Sequence, residues 1–427
     1  MTSSMTRTGI SAADPGRGPD ASTWFVPGRI EVLGKHTDYA GGRSLLAAVD
    51  LGHTVAATVR EDRILRVTSS LSADEVVLDL DALPEEDAGD GHWGGYVRAV
   101  AQRLDANFPG LLRGADVTVT STLPAAAGMS SSSALIVGVA LVLIDLSGIG
   151  EDPRFLRAVP DRERLAEYLG TVENGQSFGE LAGHRGVGTF GGSEDHTGML
   201  CGEKDALVQF SFCPVRRERV VPFPAGHVFV IAVSGVEARK TGPALTAYNR
   251  VSLAASELVQ RWNLEKARMD RTLAEAVATA PVSGEAIAAL VAGEEYLPGR
   301  LAQFLAESER LVPAAAIALE DGDLVEFGDL VDESQRAAED GLGNQVPETI
   351  ALQRGARELG AVAASAFGAG FGGSVWALVP EDRADAFAAD WERTYLEQFP
   401  QHRGAASVLR TRPGRAAHRI DPIRQEG

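Results

Sequence analysis

Cysteine is scarce in this chain. Cys201 and Cys213 are the only two among 427 residues, and neither belongs to a CxxC pair. A disulfide framework is excluded, and two ordinary thiols in a reducing cytoplasm are the expectation. Positive charge is short as well. Forty Lys and Arg face 59 Asp and Glu, giving a formal charge of −19. That argues against nucleic acid as a partner, because phosphate backbones are bound by basic surfaces. No apolar run reaches membrane length. The longest, Ala134–Leu146, is too short to cross a bilayer and predicts a buried helix. Met1 to about Ser22 has no apolar core of the signal-peptide kind, and its Ser, Thr, Gly, Pro and Asp content predicts a disordered tail. Neither an internal repeat nor a sustained heptad is present.

What is there reads as an ordinary globular protein, 44 % hydrophobic and 23 % charged, and long enough for two domains. Strands are expected at Trp24–Val32, Leu45–Val49, Thr54–Val59, Ile64–Thr68, Glu75–Leu80 and Asp116–Thr122, with a loop at Pro84–Gly91. Helical spacing marks Tyr96–Leu104 and Arg162–Val172. His227–Ser234 reads as a strand that opens a second lobe. Ala244–Leu258 and most of Pro298–Leu359 read as helix, ending on Ala366–Val379, a glycine-rich turn that feeds an apolar strand.

Three motifs carry chemistry. Leu123–Ser133 (LPAAAGMSSSS) lies between a strand and the buried helix. Small residues admit backbone N–H groups to an anion, the helix N-terminus adds about half a positive charge, and serine hydroxyls add donors or metal ligands. It is a phosphate loop in character but lacks the GxxxxGK[ST] of a Walker A loop. A Ser-capped helix start is the bland alternative. Pro27–Gly42 packs Arg, His and Asp among glycines, a density of donors and acceptors that suits a polyhydroxylated ligand or a solvated turn. Phe367–Ser374 (FGAGFGGS) could bring a second backbone to the phosphates or simply turn tightly.

Together and in this order, the motifs resemble the superfamily of galactokinase, homoserine kinase, mevalonate kinase and phosphomevalonate kinase. Pro124–Ala134 is similar to its Pro-x-x-x-Gly-Leu-Ser-Ser-Ser-Ala, with Met129 for Leu and Ser133 as an extra small residue. Gly28, Arg29, Gly34, His36, Asp38, Tyr39 and Gly42 fall in register with the galactokinase pattern Gly-Arg-x-Asn-x-x-Gly-Glu-His-x-Asp-Tyr-x-x-Gly. Phe367–Ser374 looks like its last glycine motif. Weaker similarity fills most of Trp24–Val379.

The resemblance implies an α/β (α+β) protein of two lobes with mixed sheets, the active site in the cleft between them. The lobes are expected at 23–225 and 226–427, after a tail at 1–22. It implies an ATP-dependent, Mg²⁺-requiring kinase acting on the anomeric hydroxyl of a galactose-like aldose. Sugar and ATP would be the partners of a cytoplasmic monomer or weak oligomer, with no nucleic acid or membrane. Asp195, in Gly191–His196, corresponds to the catalytic Asp, with Arg29 as its partner. Glu194 is the rival acid, expected to point away, and His196, standing for the family Gln, reads as structural. Ser132 and Glu173 would hold the metal. Ala126, Ala127, Gly128, Met129, Ser130, Ser131, Ser132, Gly370 and Gly372 would hold ATP. His36, Asp38 and Tyr248 would bind the sugar.

Two departures stand out. Lys35 occupies the place of the family Glu, exchanging an acceptor for a donor. If it faces the pocket, it favours a uronic acid; if it faces solvent, a neighbour replaces the Glu. Glu180–Gly188 is an apparent insertion, either reshaping the acceptor site or lying neutrally on the surface. A non-catalytic ATP and sugar sensor is the rival from another class, but a sensor needs no catalytic Asp.

Overall fold

The computed structural model describes residues 19–83, 93–124, 128–236, 242–280 and 282–420. Ala126, Ala127, the Pro84–Gly91 loop and the first 18 residues of the tail lie outside them. Among the described residues the strands are β1 (Ala21–Leu33), β2 (Arg43–Val59), β3 (Ile64–Ser69), β4 (Ser72–Asp79), β5 (Ala115–Ser121), β6 (Ala206–Ser211), β7 (Arg216–Pro222), β8 (His227–Val233), β9 (Ala363–Phe367), β10 (Ser374–Pro380), β11 (Ser407–Thr411) and β12 (His418–Arg419). The first sheet runs β12-β1-β2-β5-β3-β4, with β6 added on the start of β2 and β7 on β6. Its mixed character comes from the parallel pair β3–β5. The second sheet, β11-β8-β10-β9, is antiparallel throughout. We propose that the two sheets mark the two lobes. The division expected near residue 226 falls in the connection between β7 and β8, but β12 returns to pair with β1. The ordered chain also starts earlier than expected, because Ala21 and Ser22 already pair with β2.

The two short strands expected at Leu45–Val49 and Thr54–Val59 are one strand. The segment that reads as a break in sequence stays within the strand, because Pro27 lies opposite Gly52 and Arg29 opposite Ala48, so the extra residues between them form a bulge on β2.

Helices α2 (Ser131–Leu146) and α4 (Glu194–Cys201) pack on the first sheet, with α1 (Gly94–Asn107) and α3 (Arg162–Asn174) packed against them. As the apolar run predicts, α2 is buried on nearly every face. None of the described helices is long and apolar enough to cross a membrane. The later part contributes α5 (Gly242–Lys266), α6 (Leu297–Phe304), α7 (Val312–Glu320), α8 (Leu324–Ala337), α9 (Pro347–Glu358) and α10 (Ala384–Gln398), with a π-helical stretch, Leu305–Leu311, joining α6 to α7.

The strand period of two divides the second sheet's side chains cleanly. Phe229, Ile231, Val233, Trp376 and Leu378 join the main core, continuous with β1, β2 and α2. Val228, Val230, Ala232, Val375 and Ala377 face the other way, onto α9 and α10. Trp376 lies fully buried, edge-on to Phe229 at 5.6 Å between ring centres.

Candidate active site

A cavity of about 420 Å³ opens where the first motif, the serine loop, the start of α4 and the last glycine motif meet. Its centre is an ion pair. Arg29, on β1 between two register shifts, donates from Nε to Asp195 Oδ1 at 2.7 Å and lies 2.6 Å from the same oxygen through Nη2. Its Nη1 donates to the Gly128 carbonyl at 2.7 Å, which ties the pair to the serine loop. Burial alone would lower the guanidinium's pKa, but Asp195, Glu31 and Glu194 around it raise it above the ordinary value. Arg29 is therefore a fixed positive charge.

Asp195 sits in the first turn of α4. Its second oxygen accepts from Ser130 Oγ at 2.6 Å and from Ser133 Oγ at 3.3 Å. Ser130 is held in the left-handed region, φ 56°, at the mouth of α2, a costly conformation for a residue with a side chain. Ser133 also reaches Glu173 Oε2 at 3.0 Å. One hydroxyl proton thus stands between two carboxylates. Glu173 is buried, with Thr189 at 3.4 Å from its other oxygen and the His196 ring 3.8 Å away.

The expected metal ligands, Ser132 and Glu173, both line the cavity, although the serine in contact with Glu173 is Ser133. Ser130, Ser131, Gly128, Gly370 and Gly372 line it too. Met129 does not. It is buried in the main core beneath the loop, and its carbonyl accepts from the Arg29 N–H. Gly370 is held at φ 79°, and a side chain there would strike Asn344.

On the opposite side lie His36, Asp38, Tyr39 and Tyr248. His36 Nε2 is 3.1 Å from the Ala369 carbonyl and Nδ1 is 3.0 Å from Tyr39 Oη. A carbonyl only accepts, so Nε2 carries the proton and Nδ1 accepts from the phenol. Asp38 Oδ2 accepts the backbone N–H of Glu194 at 3.0 Å. Burial pushes the Asp38 carboxyl up to about 6. Gly192 makes this approach possible, because a Cβ there would stand 2.3 Å from Asp38 Oδ2.

Two further expectations are corrected here, and one left open between two readings falls to the second. Lys35 faces neither the cavity nor solvent. It is buried, and Nζ donates to Ser334 Oγ at 3.1 Å, which in turn donates to Glu307 Oε1. The chain direction decides this, since Gly34 N and Lys35 N both donate to Glu307 and Gln303 holds the Lys35 carbonyl, turning the side chain toward α8. Glu31 lines the cavity instead. The residue comparison offered that signal, since Glu31 stands where the galactokinase pattern has Asn. Glu194 does not point away but lines the same cavity. Residues 180–188 contribute nothing to the lining. They fold against the outside of α1 and α3, with Asn107 donating to the Ala182 carbonyl and Leu181 buried.

Comparison with known proteins agrees with this geometry. Residues 95–180 match the GHMP kinases N terminal domain, 315–397 match GHMP kinases C terminal, and 16–59 match the galactokinase galactose-binding signature. A galactokinase from Chloroflexus aurantiacus is 32 % identical over 85 % of each chain, and one from Actinobacillus pleuropneumoniae is 28 % identical over 86 % of this chain and 87 % of its own. The crystal structure of Lactococcus lactis galactokinase complexed with galactose superposes with a TM-score of 0.78 over 94 % of this chain and 95 % of its own, at 24 % identity. A mevalonate kinase structure follows at 0.53, covering 91 % and 98 %. By identity carried along most of its length, the chain belongs to the galactokinase family of GHMP kinases.

Proposed function

We propose that this protein is an ATP-dependent sugar 1-kinase that phosphorylates the anomeric hydroxyl of a galactose-like aldose. The observation that carries the reading is the Arg29–Asp195 pair, set between the serine loop on one side and His36, Asp38 and Tyr248 on the other. The anomeric oxygen attacks the γ-phosphorus, the bond to the bridging oxygen breaks, ADP leaves, and the hydroxyl proton passes to Asp195. Arg29 keeps Asp195 ionised and faces the charge that builds on the transferring group. The mouth of α2, with Gly128, Ser130 and Ser131, offers backbone and hydroxyl donors to the phosphates.

The donor set fits Mg²⁺. Ser132 and Glu173 supply two oxygens at the cavity wall, and Mg²⁺ takes one or two protein oxygens and completes its shell with water and phosphate. Among the described residues no cluster of three or more His, Cys, Asp or Glu side chains is placed to hold a metal alone, as suits an ion that arrives with its nucleotide. When bound, it would neutralise charge on the β- and γ-phosphates. A uronic acid reading loses its basis, because the cation that suggested it is turned away and carboxyls line the sugar side.

The test is a coupled assay for ADP release from MgATP with neutral aldoses, amino sugars and uronic acids, with ³¹P NMR of the product. A sugar 1-phosphate with galactose configuration is expected. Stoichiometric ADP release without a sugar phosphate, or no release with any sugar, overturns the reading.

A further inference from the structure

Two acidic side chains of the cavity have no part in the chemistry just described. Glu31 follows Arg29 by two residues on β1, and Glu194 precedes Asp195 on α4. Both line the cavity, at 2 % and 7 % exposure. Each has a carboxyl oxygen, Oε1, with no hydrogen-bond partner. Buried carboxyl oxygens without donors are costly, so a donor from a ligand has a strong reason to bind there. The nearby cations do not supply it. Arg29 is spent on Asp195 and the Gly128 carbonyl, and Lys35 donates to Ser334.

Resting on the sugar 1-kinase reading, we infer that Glu31 and Glu194 choose the acceptor, and that the acceptor they fit is a 2-amino-2-deoxyhexose whose ammonium group sits against both carboxyls. The position follows from chain geometry. The two acids flank the catalytic pair, one along β1 and one along α4, so the part of the sugar they meet is the carbon beside the reacting hydroxyl. The cation follows from electrostatics. Burial pushes the Glu31 carboxyl up to about 7 against the lowering fields of Lys35 and Arg29, and burial together with the charge of Glu31 raises Glu194 well above the ordinary range. An ammonium group draws both toward the ionised form, whereas a carboxylate on the sugar adds a further like charge. The galactokinase pattern has Asn at the place of Glu31, and its Cys-Gly-x-Met-Asp-Gln, in register with Gly191–His196, has Met at the place of Glu194, so both acids belong to this chain rather than to the pattern.

The experiment measures kcat/KM for galactose, galactosamine, N-acetylgalactosamine and galacturonate with wild-type protein, Glu31→Gln and Glu194→Gln. Galactosamine should exceed N-acetylgalactosamine, which keeps the nitrogen but loses the charge, by 10-fold or more, and galacturonate should be the poorest. Each Gln variant should lower the galactosamine-to-galactose ratio 10-fold or more. A ratio unchanged in both variants overturns the inference while leaving the kinase reading intact. Isothermal titration of galactosamine against galactose, in the presence of MgADP, decides the matter if turnover is absent or a variant folds poorly. Tighter binding of galactosamine than of galactose by the wild type, absent for N-acetylgalactosamine, supports the wall. Equal or weaker binding overturns it.

Discussion

Asp195 receives Arg29 on one oxygen and two serine hydroxyls on the other, and this crowding defines what single residues should do. Asp195→Asn should keep MgATP binding and lower kcat by about 10²-fold or more, the scale of a lost general base; a coupled assay beside nucleotide titration checks both halves. Glu173→Gln removes a ligand charge beside Ser132 and should shift the Mg²⁺ titration at fixed ATP to higher concentration. A titration curve that superposes on the wild type would remove Glu173 from the metal site. The buried acids also set a pH dependence of stability. Glu31 and Asp38 are raised to about 7 and about 6 by burial, above 4.5 and 3.8 for the free groups. The folded state binds their protons more tightly, so their contribution is complete in acid and lost as pH rises through 6 to 7. Thermal melts of the ligand-free protein should fall between pH 5 and pH 8, and Glu31→Gln should flatten the slope by on the order of 3 kcal/mol at most. At this scale the sequence was readable where a motif constrained it. Arg29, His36, Asp38, Glu173 and Asp195 converge as their register implied. Ser133, read as merely small, was not legible, and Glu31 showed only as a departure from the pattern's Asn, because a hydroxyl or carboxyl acquires its role only from what the fold places opposite it.

Elements explain why the first motif's loop is rigid without regular structure. From Gly34 to Gly42 it carries a single 3₁₀ turn, and several of its backbone polar groups are met from the second half of the chain. Arg300 on α6 donates to the His36 carbonyl at 2.6 Å, Gln303 to the Lys35 carbonyl at 3.0 Å, and Glu307 on the π-helical stretch accepts the Gly34 and Lys35 N–H groups. A π turn widens the helix by one residue and re-aims the side chains that follow, which is why such turns gather at sites. Glu307→Leu would leave Lys35 as a buried cation without its relay through Ser334 and should cost about 3–5 kcal/mol in chemical denaturation. A loss below 1 kcal/mol would show that the loop holds itself. The period-two and period-3.6 patterns disclosed β1, β3, β4, β5, β8, α1, α2 and α3 to within a few residues, but neither α4 nor α10. They did not disclose β7, whose Arg216–Arg219 half is polar, or β6, too short to alternate visibly. The π stretch has no signature at all, since an extra residue per turn is imposed by packing.

At the scale of the molecule, the main apolar core runs from β1 and α2 through α7 and α8 to one face of the second sheet. Two lobes that share a core should not melt separately. Differential scanning calorimetry should show one transition with equal calorimetric and van 't Hoff enthalpies, and Trp376→Ala should lower it as a whole by about 3–5 kcal/mol of stability. Two resolved peaks would contradict the shared core. Fold class and the order of motifs were legible over this distance; the shared core was not, because period alone does not say which partner a face will meet. One feature ties the far ends of the chain together. His418–Arg419 cap the outer edge of β1, the Ala417 N–H donates to the Met199 carbonyl, and Gly414 donates to Ala48. Synthesis delivers β1 long before this strap. Until the strap emerges, the edge bearing Trp24 and Phe25 therefore stays open, a template for pairing with any other nascent chain. The sheet closes only once the strap has been made, so the yield in a cell rests on whatever guards that edge in the meantime.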